Sequence, residues 1–261
     1  MADAIPPGVT NPAGRKAALA AIVLSRLGLA LGVICIAAGI VSGLGARLEL
    51  WHFRIGFTIL QWATFGAFAV IVLSAIGGIL AWRMHLRAAR TAGLLGLLLG
   101  VAGASPPLYQ YYLATHVPAI HDISTDTANP PQFVAVLPLR KKDDNSLAPD
   151  AEATAMQLSA FPDLQPVLVA AAPQQALHRA ELAARAMGWD IVAVDPQAGR
   201  IEATATTLLF GFKDDVVIRV APQAAGGSRI DVRSASRVGR SDLGVNARRI
   251  RAYIKEFNTT G

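Results

Sequence analysis

Arginines and aspartates crowd one short stretch near the end of the chain. The run "SRIDVRSASRVGRSDLGVN" joins a strand pattern to a helix pattern, so its guanidinium groups lie close in sequence to free helix amides. Guanidinium groups and helix amides together can bind a phosphate, a carboxylate or a lipid head group. With one arginine from the preceding strand, the candidate anion- or ligand-binding residues are Arg219, Asp231, Arg233, Arg237, Arg240, Asp242 and Asn246.

The same charges also fit a structural role. In this second interpretation, the last three arginines of the set pair with nearby aspartates and brace the strand-to-helix corner, where Gly239 and Gly244 allow close backbone approach. The predicted partners of these arginines are Asp214, Asp231 and Asp242. Residue types alone do not separate binding from bracing.

A second polar cluster comprises His121, Asp122 and Asp126, and the adjacent carboxylates Asp214 and Asp215 follow much later in the chain. An imidazole and two carboxylates could hold a metal ion, and paired carboxylates could act as acid and base. However, no second histidine stands at convincing ligand spacing, and adjacent strand residues point to opposite faces. We therefore expect turns and ion pairs with arginine here, and no catalytic residue, metal ion or cofactor.

A serine nucleophile is the remaining candidate for catalysis. Ser234, Ser236 and Ser241 carry the hydroxyl groups, but such a nucleophile needs an adjacent base. No histidine lies in this part of the sequence, although His121 could approach it in the fold. The alternative function is accordingly a membrane-tethered hydrolase or metal-dependent enzyme that uses the segment of His121, Asp122 and Asp126.

Three long stretches contain no Asp, Glu, Lys or Arg: residues 27–46, 55–82 and 91–114. Each is long enough for a helix to cross the roughly 30 Å hydrocarbon core of a bilayer. We therefore divide the chain into residues 1–114, a tail with three transmembrane helices, and residues 115–261, an extracytoplasmic α+β domain with an entry linker at 115–133. The first span is too long for a signal-peptide core, which favours an uncleaved anchor.

The basic charge of the chain is concentrated in its membrane part. The net charge is +6, and eight basic residues stand against two acidic ones up to residue 114, whereas later residues include sixteen of each. The excess of basic residues in the membrane part is therefore evidence on membrane topology. Because residues 115–261 carry no net charge, the sequence argues against a nucleic-acid partner. Six basic residues lie in the N-terminal segment and second loop, against two in the first loop. The positive-inside rule predicts a cytoplasmic N-terminus and a periplasmic C-terminal domain at a bacterial inner membrane.

Glycines four residues apart occur in the first span, at Gly28 and Gly32 and at Gly39 and Gly43, and in the third span, at Gly96 and Gly100. This spacing lets helix backbones approach closely. We favour packing of the first and third helices within one chain, with a homo-oligomer through these glycine-spaced helices as the alternative. Because no ionisable residue lies deep in a span, the helices are expected to anchor the chain in the lipid bilayer rather than to transport ions.

The second part of the chain shows a helix pattern, four strand patterns and a final helix pattern. The strands are "WDIVAVD", "RIEATATTLLF", "DVVIRVA" and "SRIDVRSAS". This order predicts an antiparallel four-strand meander flanked by two helices, with one face covered and one free. We further expect a short strand at "VAVLPL", an irregular segment at 153–172, and Ser241 or Asp242 as N-cap of the last helix.

Alternation along the strands assigns two faces to the sheet. The inward residues are Ile201, Ala203, Ala205, Val216, Ile218, Val220, Ile230 and Val232. The outward residues are Glu202, Thr204, Thr206, Arg219, Asp231, Arg233 and Arg237. The register that avoids opposed like charges pairs Arg219 with Asp231, and an exposed pair of this kind contributes less than about 1 kcal/mol.

The run "GWDIVAVDPQAGRIEATATTLLFGFKDDVVIRVAPQAAGGSRIDVRSASRVGRSDLGVNARRIRAY" closely resembles the domain-of-unknown-function 1499 (DUF1499) family, and "IHDISTDTANPPQF" resembles the entry motif of that family. The three-span part resembles the membrane anchor of some bacterial members. The resemblance implies a location in the cell envelope, and it implies no assigned reaction or cofactor. We expect a non-catalytic domain that binds an envelope protein or an anionic small ligand.

Overall fold

Three long helices open the computed structural model, which describes residues 11–260. They are α1 (Pro12–Arg47), α2 (Phe53–Arg83) and α3 (Arg87–His116). Each is long and apolar enough to cross a membrane, and each contains one of the predicted spans. The expected tail before residue 11 lies outside the described residues. The chain is therefore a membrane protein by the length and composition of these helices.

Glycines let the three helices pack closely within the chain. A Cβ atom added to Gly28 of α1 or Gly96 of α3 would lie 2.2 or 2.4 Å from Ser74 Oγ of α2. A Cβ atom on Gly77 of α2 would lie 2.6 Å from the backbone nitrogen of Ser25 on α1. The intramolecular packing therefore involves α2 as well as α1 and α3, because small residues of all three helices meet.

The remaining helices and strands form an α+β domain. Its helices are α4 (Ala151–Ala160), α5 (Pro173–Ala186) and α6 (Val245–Thr259). Its strands are β1 (Asp122–Ser124), β2 (Val167–Val169), β3 (Asp190–Asp195), β4 (Arg200–Thr206), β5 (Lys213–Pro222) and β6 (Ser228–Ser236). By compactness the chain divides into Met1–Tyr111 with Leu209–Gly211, and Tyr112–Leu208 with Phe212–Gly261.

The sheet has six antiparallel strands rather than the predicted four-strand meander. Its order is β1-β6-β5-β4-β3, and β2 also pairs with β6. β1 and β2 pair with successive parts of β6, with Ile123 opposite Ser234 and Leu168 opposite Arg229. These two strands are three residues long, too short for an alternating pattern to be recognised in the sequence.

The main hydrophobic core lies between the sheet and helices α5 and α6. Every residue assigned to the inward face belongs to this core, which confirms the alternation. Tyr253 of α6 is fully buried in this core and stacks on Trp189 with ring centroids 5.2 Å apart. The N-cap of α6 is Gly244 with φ 75°, rather than Ser241 or Asp242.

The opposite face of the sheet is covered, so the prediction of a free face is wrong. Phe133 and Val136 pack against Val217 and Ala235 in a second, smaller core. We call residues 125–147 the cover segment. Its "VAVLPL" stretch contains a 3₁₀ helix at Leu137–Leu139 instead of a strand. The segment beyond it, predicted to be irregular, contains α4 and β2, because prolines at 162 and 166 limit helix length without preventing a short helix.

Candidate functional site

A layer of charged side chains and one threonine hydroxyl lies between the sheet and the cover segment. We call this set the polar layer. Its members on the strands and just after β6 are Arg200, Glu202, Thr204, Asp215, Arg219, Arg229, Asp231, Arg233 and Arg237, and Asp122, Asp126 and Arg140 complete it. It contains most of the residues that the sequence marks as a candidate binding site.

Asp215 is the centre of the first part of the polar layer, and its side chain is 0% exposed. Arg237 Nη2 lies 2.7 Å from Asp215 Oδ1, and Arg140 Nη1 lies 2.6 Å from Oδ2. Thr204 Oγ1 donates to Oδ1 at 3.1 Å. Arg237 Nη1 donates to the Leu139 carbonyl at 2.9 Å. The donors of Arg237 are thus engaged within the protein.

Glu202 fixes the cover segment to the sheet. Its buried carboxylate accepts hydrogen bonds from the backbone amides of Val134 and Val136, each at 3.0 Å. Arg200 Nε donates to the same carboxylate at 2.9 Å. A buried carboxylate is stable only when its oxygens accept hydrogen bonds. The hydrogen bonds of Glu202 therefore hold Val134 and Val136 of the cover segment against β4, and we call this contact the Glu202 clamp.

Arg219 and Asp231 are paired across β5 and β6, as predicted. Arg219 Nη2 lies 2.8 Å from Asp231 Oδ2 and 2.9 Å from Asp126 Oδ2. Arg229 Nη2 also contacts Asp126, at 2.8 Å. Asp231 is fully buried, so the expected energy of an exposed pair does not apply here.

Arg233 connects Asp122 of β1 to the cover segment. Its Nη2 lies 2.6 Å from Asp122 Oδ2 and 2.9 Å from the Leu147 carbonyl. Its Nη1 donates to the Pro131 carbonyl at 3.2 Å, and the guanidinium lies 5.1 Å from the centre of the Phe133 ring. Carboxylate, carbonyl and aromatic contacts together hold this side chain in place.

Asp214 points to the other face of the sheet, where it pairs with Arg249 of α6. The predicted divergence of Asp214 and Asp215 is therefore confirmed, as is their pairing with arginines. Asn246 continues the network on this side: Nδ2 donates to the His121 carbonyl and to Ser236 Oγ, both at 3.0 Å. These bonds connect β6 and α6 rather than forming a nucleophile and its base.

Asp242 occupies the amides at the start of α6. Its carboxylate accepts from the backbone nitrogens of Gly244 and Asn246, both at 2.7 Å. Burial raises the pKa of Asp242, and the two backbone hydrogen bonds oppose that shift. The helix amides predicted to bind an external anion therefore bind the carboxylate of Asp242. Arg240, in the turn before α6, is exposed.

Arg233 and Arg237 form ion pairs at the strand-to-helix corner, as the structural interpretation predicts, but their aspartate partners differ from the predicted ones. Arg233 and Arg237 pair with Asp122 and Asp215. The expected partners are engaged elsewhere: Asp214 pairs with Arg249, Asp231 with Arg219 and Arg229, and Asp242 with backbone amides. Spacing along the chain could not reveal these contacts, because Arg140 of the cover segment and Asp122 of β1 lie more than 70 positions from the residues that they bind.

His121, Asp122 and Asp126 do not form a joint site. Asp122 and Asp126 each bind different arginines, and the His121 backbone carbonyl accepts from Ser236 and Asn246. Within residues 11–260, no group of three or more His, Cys, Asp or Glu side chains is placed to hold a metal ion.

A groove of about 370 Å³ lies beside the start of α6, and we call it the α6 groove. Its apolar lining includes Trp189, Val245 and Ala252, and its basic lining is Arg248 and Arg249. Arg248 is exposed, whereas the charge of Arg249 is balanced by Asp214. No sequence motif indicates this groove, because its residues come from separate parts of the chain.

Comparison with known proteins identifies the family of this domain. No curated protein matches the chain significantly. The family model described as "Protein of unknown function (DUF1499)" matches residues 122–257, from β1 to the last turns of α6. This range includes the whole sheet, the cover segment and the α6 groove. The chain, with three helices long and apolar enough to cross a membrane ahead of this domain, therefore belongs to the DUF1499 family.

Proposed function

We propose that this protein is a multi-pass protein of the bacterial inner membrane whose periplasmic DUF1499 domain binds an amphiphilic anion without catalysis. The three apolar helices support the membrane location. The excess of basic residues in the N-terminal segment and the second loop supports a cytoplasmic N-terminus. With the N-terminus in the cytoplasm, three spans support a periplasmic location for the C-terminal domain.

Pairing of the carboxylates supports a non-catalytic role. A general base needs an accessible lone pair within hydrogen-bond reach of its substrate. Asp122, Asp126 and Asp215 instead bind arginines at 2.6 to 2.9 Å, and Glu202 binds one arginine and two backbone amides. The hydrolase and metal-enzyme alternative has less support for this reason.

The observation that carries the binding proposal is the composition of the α6 groove. Trp189 and Val245 provide an apolar surface, while the exposed guanidinium of Arg248 can pair with a carboxylate or phosphate. The arginines of the polar layer pair with internal carboxylates, whereas the exposed Arg248 donates from Nη1 to the backbone carbonyl of Leu243 at 3.1 Å. Arg248 is therefore better placed for an external anion. A molecule with an apolar body and one anionic group matches both halves of the groove.

Photo-crosslinking tests this proposal. The detergent-solubilised full chain is incubated with a diazirine-bearing fatty acid, irradiated, and analysed by peptide mass spectrometry. We expect adducts on residues 187–189 and 245–252, reduced several-fold by Arg248→Glu. Arg185→Glu is the control, because Arg185 is an exposed arginine on α5, outside the groove. Equal labelling of the wild type, Arg248→Glu and Arg185→Glu, or labelling spread over the domain, would contradict the proposal. A copurifying protein bound at the groove would also contradict it, because the ligand would then be a protein instead of an amphiphilic anion.

A further inference from the structure

A second cavity, of about 250 Å³, lies between the first residues of the cover segment and the end of α4, and we call it the α4 pocket. Its polar lining includes Thr125, Asp126, Thr127 and Arg229, and its apolar lining includes Leu158 and Leu164. All of these residues belong to one compact unit of the chain. The α4 pocket shares no lining residue with the α6 groove, so the two cavities can be considered separately.

The polar lining of the α4 pocket contains hydrogen-bond donors that bind no acceptor of the protein. Thr125 is buried, and its Oγ1 accepts a backbone hydrogen bond from β6 at 2.9 Å. Arg229 donates from Nε to Asp231 and from Nη2 to Asp126. In the part of the chain that the structure describes, the Thr125 hydroxyl hydrogen, the Thr127 hydroxyl and Arg229 Nη1 have no acceptor. Hydroxyl and guanidinium groups both carry N–H or O–H donors, so three donors remain for a ligand.

The α4 pocket offers these donors without a net charge. Arg219 and Arg229 lie 2.8 to 3.1 Å from Asp126 and Asp231, so two positive and two negative charges balance. An anion that approached Arg229 would also approach Asp126, which lines the same pocket, and like charges repel. A neutral acceptor, such as an amide carbonyl, would bind the same donors without this repulsion.

We propose that the α4 pocket binds a small uncharged molecule that presents a carbonyl oxygen beside a short apolar group, as an acylated amino-acid amide does. The carbonyl accepts from the three donors. The apolar group covers Leu158, which is 50% exposed, and removes its surface from water. The volume of about 250 Å³ lies below the range of roughly 300–1,000 Å³ for drug-sized ligands, which fits a molecule of this size. This role is separate from the binding of an anion in the α6 groove.

Equilibrium dialysis of radiolabelled N-acetyl-leucine amide against the full chain in nanodiscs tests the proposal. Empty nanodiscs measure uptake by lipid, and N-acetyl-leucine is the matched anionic probe. Thr127→Val removes one donor, and Leu158→Glu places a charge on the apolar wall. Leu182→Glu is the control, because Leu182 is an exposed leucine of α5 outside the pocket. A blocked tripeptide with a central leucine distinguishes a peptide chain from a single amide as the source of the carbonyl.

The expected result is selective binding of the neutral probe. The wild type and Leu182→Glu should retain the amide equally, and several-fold more tightly than N-acetyl-leucine. Thr127→Val should weaken binding of the amide by about three- to tenfold, the contribution of one neutral hydrogen bond, and Leu158→Glu should weaken it at least as much. Binding of the tripeptide as tight as that of the amide would support a peptide chain as the ligand, and its exclusion would support a free amide.

Two results would overturn the proposal. The first is binding of N-acetyl-leucine that equals or exceeds binding of its amide, because the pocket would then select an anion. The second is unchanged retention of the amide in both Thr127→Val and Leu158→Glu, since the probe would then bind elsewhere on the protein.

Discussion

Arg237 and Asp215 form a buried ion pair, with Nη2 and Oδ1 2.7 Å apart and the Asp215 side chain fully covered. Arg237 follows β6 and Asp215 belongs to β5, so the pair joins the sheet to the corner that leads into α6. Arg140 approaches the same carboxylate from the cover segment. One aspartate thereby connects three separate parts of the chain.

Glu202→Gln should loosen the cover segment. The substitution keeps the shape of the side chain but removes the charge that binds Arg200 and the amides of Val134 and Val136. We expect a loss of about 1–3 kcal/mol in the free energy of unfolding and faster hydrogen exchange at these two amides. Glu181→Gln is the control, because Glu181 forms an exposed helix pair with Arg185 and should change stability by less than about 0.5 kcal/mol. Unchanged exchange in Glu202→Gln would contradict the clamp.

Asp242 should make stability depend on pH. Because burial raises its folded-state pKa, the folded protein holds this proton more tightly than the unfolded chain, whose aspartate pKa is about 3.9. The contribution of Asp242 is therefore fully present below about pH 4 and lost as pH rises through the folded pKa. In a pH series of thermal midpoints, the difference between the wild type and Asp242→Asn should fall with rising pH over this window. A difference in thermal midpoint that rises with pH would contradict a raised folded-state pKa of Asp242.

Gly77→Ala should disturb the packing of α1 against α2. The added Cβ atom would lie 2.6 Å from the backbone nitrogen of Ser25, so a helix must shift, at a cost of roughly 1–3 kcal/mol. Gly39→Ala is the matched control, because the nearest atom to its Cβ, Leu60 Cδ1, would be 3.8 Å away. Thermal aggregation midpoints in detergent compare the two variants. Equal midpoints would show that the contact at Gly77 is not tight.

A reporter at the C-terminus tests the orientation. Alkaline phosphatase fused after the last residue should be active, and green fluorescent protein fused there should be dark when exported unfolded. The expectation follows from the six basic residues on the side of the N-terminus and second loop. A bright fluorescent fusion together with an inactive phosphatase fusion would place the domain in the cytoplasm.

Local patterns predicted much of the fold. The inward face of β4, β5 and β6 is correct in every residue assigned to it, because alternation records burial along one strand. The Arg219–Asp231 register also follows from local charge. β1 and β2 could not be predicted, since three residues carry no periodicity, and β1 lies in a polar stretch typical of loops.

The candidate site was predicted by residue type but not by partner. Asp214 and Asp215 diverge as strand geometry requires, yet the arginines that bind them come from α6, the cover segment and the end of β6. The cover segment also explains the mistaken free face. A polar strand face is typical of exposure to water. Here the polar residues instead bind backbone amides and charged side chains of the cover segment, which lies over this face.

The central claim is that the arginine-rich corner is a structural element rather than a binding site, and the thermal unfolding of Arg237→Ala tests it most directly. Removing Arg237 leaves Asp215 with one of its two cationic partners, and breaking a buried pair typically costs about 3–5 kcal/mol. We predict a large drop in the midpoint of Arg237→Ala and a midpoint close to wild type for Arg240→Ala, whose side chain is exposed. If Arg237→Ala kept the thermal unfolding midpoint of the wild type but lost fatty-acid crosslinking, the claim would be contradicted and the corner would be a binding site.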